Sequence, residues 1–583
     1  MNPTPNPVPL TAAFKKLAGV MRPEAKALGL ALAAILASSG LSLLAPYLFG
    51  RAVDLYVRSG NYMGILATSG ALFAAFAIAF GCQYAQMRLM GGTGQRVLFR
   101  LRNEVFTKLQ ALPVAFFNRH KAGDLISRIN NDTDKLNQFF SETLVRFTGG
   151  MFMLVGTAIF VVALDWRLGL AALVPAAFMF VFTRVVSPWV KAKTAAGLAA
   201  TGAMSAEVQE SLGSFKAIVA FDRRDYFRRR FEEANANNFR AAFRSGLANG
   251  VFMPTYEFAS NMAMLIVAGY GLLRISQGTF TVGLLLGFLI YVERFYMPLR
   301  QIGTLWSSLQ TAMSGWDRVS EILEQAEQAQ EGAKTSPGVG GSAEVPVIEF
   351  RGVQFGYPEG KKVLRGADFA LRPGKTYAFV GPTGGGKTTT ASLMARLYDP
   401  TAGTVLLGGR DIRTYDAVER TQKVGFILQD PFLFGGTVLE NIFYGNDRYA
   451  GRSPDELRKV LSEAGFDGLL SRFDKGMDTP VAQNGDAISL GQRQLIAFMR
   501  AVLREPELLI LDEATANIDT VTEKMLGEVI ERLPKTTAKV VIAHRLNTIA
   551  NADEIFFVNG GEIVPAGSFE HAVDMLMRGK RSS

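Results

Sequence analysis

The chain has 583 residues, too many for one hydrophobic core, and 49% of them are apolar. Its formal net charge of +10 would suit a polyanion, but the basic residues gather between apolar stretches, which argues against nucleic acid and for membrane-flanking segments. The lone cysteine, Cys82, excludes an intramolecular disulfide framework, and His120, His544 and His571 lack zinc-ligand spacing.

The opening MNPTPNPVPL is Pro-rich and uncharged, without the cleavage pattern of a signal peptide. With the short amphipathic segment 11–21, expected to lie at a membrane interface, it makes up an N-terminal region 1–23. Six apolar segments follow, at 27–50, 63–87, 143–164, 168–186, 250–273 and 280–298, each near the length that crosses a bilayer. Cys82 falls in the second, where packing is its expected role.

Short connections, including the turn Asp165, Trp166 and Arg167, alternate with two long Arg-rich stretches, 88–142 and 191–248. The positive-inside rule places those stretches, and with six spans both termini, in the cytoplasm. Their helical periodicity predicts spanning helices that continue past the membrane. PVAFFNRHKAGDLISRINND in the first reads as a Pro, an aromatic pair, a Gly and a capped helix start. EVQESLGSFKAIVAFDRRDYFRRRFEE in the second reads as one amphipathic helix with an Arg face.

The membrane domain thus takes up 24–323, and 324–345, rich in Glu, Gln, Ala, Gly and Ser, is a linker by composition. Residues 346–583 alternate β-rich runs (VIEFRGVQF, TYAFVG, VGFILQ, LLILDE, KVVIAH, EIFFVNGGEIV) with helical segments, predicting an α/β domain with a largely parallel sheet. The expected fold class is a six-helix polytopic membrane domain with long extensions fused to an α/β P-loop NTPase.

TYAFVGPTGGGKTTT is a strand, a Gly-rich loop and a helix start. Gly381, Gly384 and Gly386 let backbone N–H groups close on phosphate, Lys387 brings charge to the β/γ-phosphates, and the Thr388 hydroxyl suits Mg²⁺, with Thr389 beside it. LLILDE ends in Asp512, a candidate Mg²⁺ carboxylate, and Glu513, a candidate general base for water. KVVIAH ends at His544, placed to meet a γ-phosphate.

In this order the motifs resemble those of ATP-binding cassette (ABC) transporters of the exporter type, in which six spans are fused to one C-terminal nucleotide-binding domain. The resemblance runs over essentially the whole chain after the first dozen residues. It implies ATP and Mg²⁺ as cofactors, Tyr357 of FGYP as the ring stacked on adenine, Gln429 of ILQDPFLF as a sensor of Mg²⁺ and water, and Asp519 of NIDT in the loop after the second acid. ISLGQRQ stands where the family has Leu-Ser-Gly-Gly-Gln, a segment that reaches the γ-phosphate held by a second subunit. Ser489, Gly491 and Gln492 are its binding residues here.

Leu490 replaces the first Gly of that pair, adding a Cβ that restricts the backbone and crowds an approaching phosphate. Ala482 and Gln483 likewise replace a usual Gly-Glu pair upstream. An altered signature beside an intact ATP-holding half resembles one subunit of a heterodimeric exporter, so a second half-transporter is the expected partner, with a heterodimer favoured over a homodimer. By resemblance, 115–120 and 211–220 are coupling elements. Expected substrates are amphipathic drugs or lipids, with a lipid flippase or a non-pumping regulatory member as alternatives, and the expected location is a bacterial inner membrane. Among polar residues at membrane depth, Glu257 is the leading cavity candidate, with Asn261 on the same span, while Glu293 and Arg294 are expected to pair or snorkel.

Overall fold

The computed structural model describes residues 19, 21–57, 59–325, 345–357, 360, 362–482, 488–512, 520–542, 552–567 and 570–571. Gln483, Glu513, Asp519 and His544, with nearly all of the interfacial segment 11–21, lie outside them. The chain divides into two compact units, Met1–Gln110 with Lys121–Gln325, and Ala111–His120 with Ala326–Ser583.

Among the described residues six helices are long and apolar enough to cross a membrane. Helix α1 is Ala25–Ala52 and α2 is Tyr62–Ala111; after α3 (Val114–Arg119, grouped with the second unit) come α4 (Ala122–Ser127), α5 (Thr133–Gln138) and α6 (Leu144–Leu164). Then follow α7 (Trp166–Gly213), α8 (Phe215–Ala220), α9 (Arg224–Gly250), α10 (Phe252–Ser276) and α11 (Val282–Leu323). The 50 residues of α2 and 48 of α7 extend far past the roughly 20 that span hydrocarbon. Large apolar side chains such as Phe73, Phe80 and Phe180 stay more than 70% exposed, as suits helices solvated by lipid.

The ends of the spans are pinned by polar contacts. Asp165 caps α7, its Oδ1 accepting from the N–H groups of Arg167 (3.1 Å) and Leu168 (3.0 Å), while its Oδ2 takes Arg274 at 3.2 Å. Asp54 accepts from the Gly283 N–H at 2.8 Å. There α1 and α11 touch through glycines, and a Cβ on Gly283 would sit 1.9 Å from the Gly50 carbonyl oxygen.

Three expectations change. The start of α4 has Lys121 at the N-cap position with no side-chain cap, because Asp124 falls inside the first turn and binds Arg128 at 2.9 Å. The single Arg-faced helix is three: α7 stops at Gly213, α8 covers six residues, and α9 begins after Asp222, whose φ of +50° no helix continues. The third concerns the sheet of the second unit, described below.

Two π-helical turns, Arg128–Asp132 and Phe139–Thr143, interrupt the helix leading into α6. The first carries a buried ionic cluster. Asp132, fully buried, accepts from Arg318 of α11 and from Lys135 at 2.8 Å; Arg128 donates to Glu321 at 2.7 Å and to the Arg318 carbonyl at 3.2 Å. Asp132 is itself the buried charge and its partners Arg318 and Lys135 are each more than a third exposed, so Arg318→Ala, which leaves the buried carboxylate with Lys135 alone, is expected to destabilise the protein by about 1–3 kcal/mol. A fall of several degrees in the midpoint of thermal unfolding in detergent checks this, and an unchanged midpoint would refute it.

The second unit holds two larger sheets. β1 (Ile348–Gly356), β2 (Lys362–Leu371), β4 (Ala402–Leu407) and β5 (Arg410–Asp411) form an antiparallel sheet in the order β2-β1-β4-β5. β3 (Thr376–Val380), β6 (Val424–Ile427), β9 (Leu508–Asp512), β10 (Ala538–Ile542), β11 (Glu554–Asn559) and β12 (Glu562–Pro565) form the other, in the order β12-β11-β3-β10-β9-β6 and parallel except for β12. VIEFRGVQF therefore belongs to the antiparallel layer, not to the parallel sheet. β1 pairs in both directions through bulges near Gly352, and its buried Ile348, Phe350, Val353 and Phe355 share a core with Phe379 and Val540. A small ribbon pairs β7 (Gly436–Thr437) with β8 (Pro480–Val481).

Candidate functional site

The loop after β3 lies at the carboxyl end of a parallel strand, where open α/β sheets bind ligands, and opens helix α12 (Lys387–Met394). Gly381, Gly384 and Gly386 all have left-handed φ (149°, 80° and 116°) that side-chain-bearing residues avoid. A Cβ at Gly381 would lie 2.0 Å from the Val558 carbonyl oxygen and one at Gly385 would lie 2.6 Å from it. Gly385 is thus more confined than Gly384 or Gly386, though the motif pattern leaves that position free.

Lys387 is buried, and its Nζ donates to the carbonyls of Gly381 (2.7 Å) and Pro382 (3.1 Å), holding the loop as a ring. Thr388 is exposed at the helix start, while Thr389 is buried with its Oγ1 3.2 Å from the Tyr357 hydroxyl. Asp512, 2% exposed, ends β9, in register with Ile542 of β10 and through it with Phe379 of β3. The sheet therefore brings the loop strand and the carboxylate strand within one strand of each other.

Tyr357 is half-buried, its ring edge-on to Tyr398 at 5.5 Å. The Tyr398 hydroxyl accepts from the Asn118 amide of α3, so the segment grouped with this unit ends on the aromatic cluster that includes Tyr357. His120 stacks on Phe116 at 4.2 Å. In the first unit, 211–220 contains α8 and leaves Leu212, Phe215 and Val219 exposed.

The segment at 489–492 starts helix α13 (Leu490–Val502). Ser489 is its N-cap: Oγ accepts from the Gln492 N–H (3.2 Å), the Gln492 Oε1 accepts from the Ser489 N–H (3.0 Å), and the Ser489 hydroxyl proton stays available to an anion. Gly491 sits one position into the helix, with the orphan N–H groups of the first turn. Leu490 holds the first helical position in right-handed geometry that any L-residue adopts, so the expected backbone restriction does not arise and only its bulk distinguishes it from Gly.

Two residues of α13 escape a motif reading. Gln494, 1% exposed, donates from Nε2 to the Gln429 carbonyl at 3.4 Å, tying this helix to the exposed Gln429 loop. Arg500 donates to the carbonyls of Asn441 (2.7 Å) and Phe432 (3.2 Å) and bridges to the turn after Gln429. Burial, followed by the charge of Arg504, pushes its guanidinium down to about 10. Their only sequence signal is a polar residue on an otherwise apolar helix face.

Among the spans, a cavity of about 770 Å³ is lined by α1, α2, α6 and α11. Arg294 lines it; Glu257 does not, being exposed on α10, and Glu293 is exposed on α11. Arg294 does not pair with Glu293 but donates to the Ser42 carbonyl of α1.

A bundle of bilayer-length helices joined to a phosphate-cradling parallel sheet defines an ATP-driven membrane pump. The family model of the ABC transporter transmembrane region matches residues 28–299, and the one described as ABC transporter matches 364–516. The chain belongs to the ABC transporter family, with the half-transporter architecture of exporters, and couples ATP hydrolysis to transport as an integral membrane protein. It is 33% identical to the uncharacterised ABC transporter ATP-binding protein YfiC of Bacillus subtilis, over 92% of this chain and 88% of that one. It is 33% identical to a fatty acid ABC transporter ATP-binding/permease protein of Mycobacterium bovis (88% and 79% covered) and 30% identical to an ATP-dependent lipid A-core flippase of Syntrophus aciditrophicus (96% and 92% covered).

Proposed function

We propose that this chain pairs with a second half-transporter to export an amphipathic, lipid-like molecule across a bacterial inner membrane. The observation that carries the substrate reading is the cavity among the spans, whose polar wall lies within otherwise lipid-facing helices. The relatives named for fatty acid transport and for lipid A-core flipping support a lipidic cargo, and their bacterial sources support the location.

ATP is held by the loop at Gly381, Gly384 and Gly386, by Lys387 and by Tyr357, with Thr389 fixing the Tyr357 hydroxyl. The exposed Thr388 hydroxyl and the Asp512 carboxylate are hard oxygen donors that fit Mg²⁺, which supplies charge neutralisation at the β- and γ-phosphates. Gln429 orients the attacking water, Glu513 takes its proton and His544 contacts the γ-phosphate. Asp519 of NIDT is the further nucleotide-binding residue that the family resemblance supplies.

Ser489, Gly491 and Gln492 serve a phosphate on the partner, because a helix N-terminus with a spare hydroxyl proton is an anion site that needs a second chain to supply the anion. We favour a different second half over a second copy, now on the bulk of Leu490 alone. Binding of two nucleotides draws the ATPase domains together, and hydrolysis releases them, switching the spans between two states. ATP hydrolysis by the purified chain alone in lipid nanodiscs, with Glu513→Gln as blank, tests the pairing: silence from a folded, ATP-binding chain supports a different partner, and robust turnover that the blank lacks overturns it.

A further inference from the structure

The larger cavity has a polar wall built from Ser38, Ser39 and Ser42 of α1 and Gln83 and Gln86 of α2. Its charged residues are Glu142, Arg146 and Arg294. Glu142 and Arg146 lie 3.8 Å apart and offset each other. Arg294 is different. Its guanidinium is held by the Ser42 main-chain carbonyl, and among the described residues no carboxylate forms an ion pair with it. One N–H of five is used there, leaving donors in a planar fork that matches an oxyanion.

Arg294 also sits inside the span. It lies four positions before Pro298, the end of the apolar segment 280–298, which is a rise of about 6 Å. An ionised side chain at that depth that faces a cavity rather than the interface marks a ligand path.

A second cavity of about 400 Å³ shares Ile35 and Val145 with the first. Its wall is apolar, built by Leu28, Phe139 and Phe140 among others, with Thr148 and the exposed Arg22 as its polar members. A cationic polar chamber therefore adjoins an apolar one across a common wall, the division found in an amphiphile with a charged head and a long tail.

We propose that the two cavities together bind a long-chain anionic amphiphile, its carboxylate or phosphate head on Arg294 among the serine and glutamine side chains and its tail between Ile35, Val145 and the apolar pocket. This rests on the transporter reading and gives the cargo a sign of charge: a cationic drug meets the wrong electrostatics.

The test uses the full transporter in nanodiscs, with its partner half if it needs one, titrated with oleate, oleoyl lysophosphatidate, oleyl alcohol or dodecyltrimethylammonium. Both anions are expected to stimulate ATP hydrolysis, the alcohol and the cation are not, and the stronger of the two anions tells a carboxylate head from a phosphate. Arg294→Gln is expected to raise the half-stimulating anion concentration at least tenfold and Arg294→Lys to stay within about threefold. Gln86→Glu, which places a carboxylate on the wall without touching the Arg294 anchor, is expected to act like Arg294→Gln and carries the test if that variant does not fold. Equal responses of wild type and both variants, or stimulation by the cation equal to that by oleate, would overturn the proposal. Native mass spectrometry of bound oleate separates the two ideas: Arg294-dependent binding without any ATP turnover keeps the site and sinks the pump, and turnover with binding indifferent to Arg294 does the reverse.

Discussion

Lys387→Ala is expected to lower ATP affinity by at least about 100-fold and to bring hydrolysis to background. The ammonium is buried within the loop and closes it through two carbonyls, Gly381 and Pro382. The same charge is what the β- and γ-phosphates meet, so the substitution removes both the fastening of the empty loop and the compensation of the filled one. Loss of one preorganised donor to a developing anion costs about 10²–10³ in rate on its own. Lys387→Arg separates charge from shape: a fork-shaped guanidinium cannot take the position of a point ammonium, so it is expected to recover less than a tenth of the activity. Fluorescent-nucleotide binding and phosphate release check both variants, and wild-type affinity in Lys387→Ala would contradict the assignment.

The second large effect is structural. Gly381→Ala adds a Cβ 2.0 Å from a carbonyl oxygen of β11, at a φ of 149°. Neither atom is the end of a flexible side chain, so the loop or the β11 strand must move. The expected cost is about 3 kcal/mol or more, and ATP binding is lost with it because the loop N–H groups no longer converge. Gly384→Ala is the control: its φ of 80° is strained too, but no atom lies within 4 Å of the added carbon, so its penalty is expected to be smaller. Thermal unfolding of the two variants side by side reads the difference, and equal midpoints would mean that steric contact with Val558 is not what fixes Gly381.

How far the chain discloses this architecture depends on how local the determinant is. The Gly-rich loop is legible because its strand, its turn and its helix are contiguous, and the six spans are legible because hydrocarbon thickness sets a length that needs no partner. Residues that meet across the fold are not: Asn118 reaches Tyr398 over 280 positions, and neither stretch carries a mark of the other. The antiparallel sheet escapes for a related reason, since Arg365 and Gly366 in β2 and Gly403 in β4 break an alternating pattern, and the pairing with β1 runs through bulges.

Depth in a membrane is similarly readable where direction is not. Glu257 and Arg294 both fall within apolar segments, but only the packing of α11 on α1 turns Arg294 toward a cavity, while Glu257 is exposed on α10. The break between α7 and α8 follows Gly213, yet glycine also occurs harmlessly in helix interiors here, as at Gly202 within α7 itself. At Leu490 the expected backbone restriction does not arise, because a helix N-terminus imposes ordinary right-handed angles there.

The most direct measurement is ATP-dependent uptake of a fluorescent long-chain amphiphile into inside-out proteoliposomes containing the transporter, with Glu513→Gln as the paired blank. Accumulation that requires hydrolysable ATP and disappears in the blank is the predicted result. ATP hydrolysis at full rate with no movement of any amphiphile, anionic or cationic, would contradict the account of this chain as an amphiphile exporter.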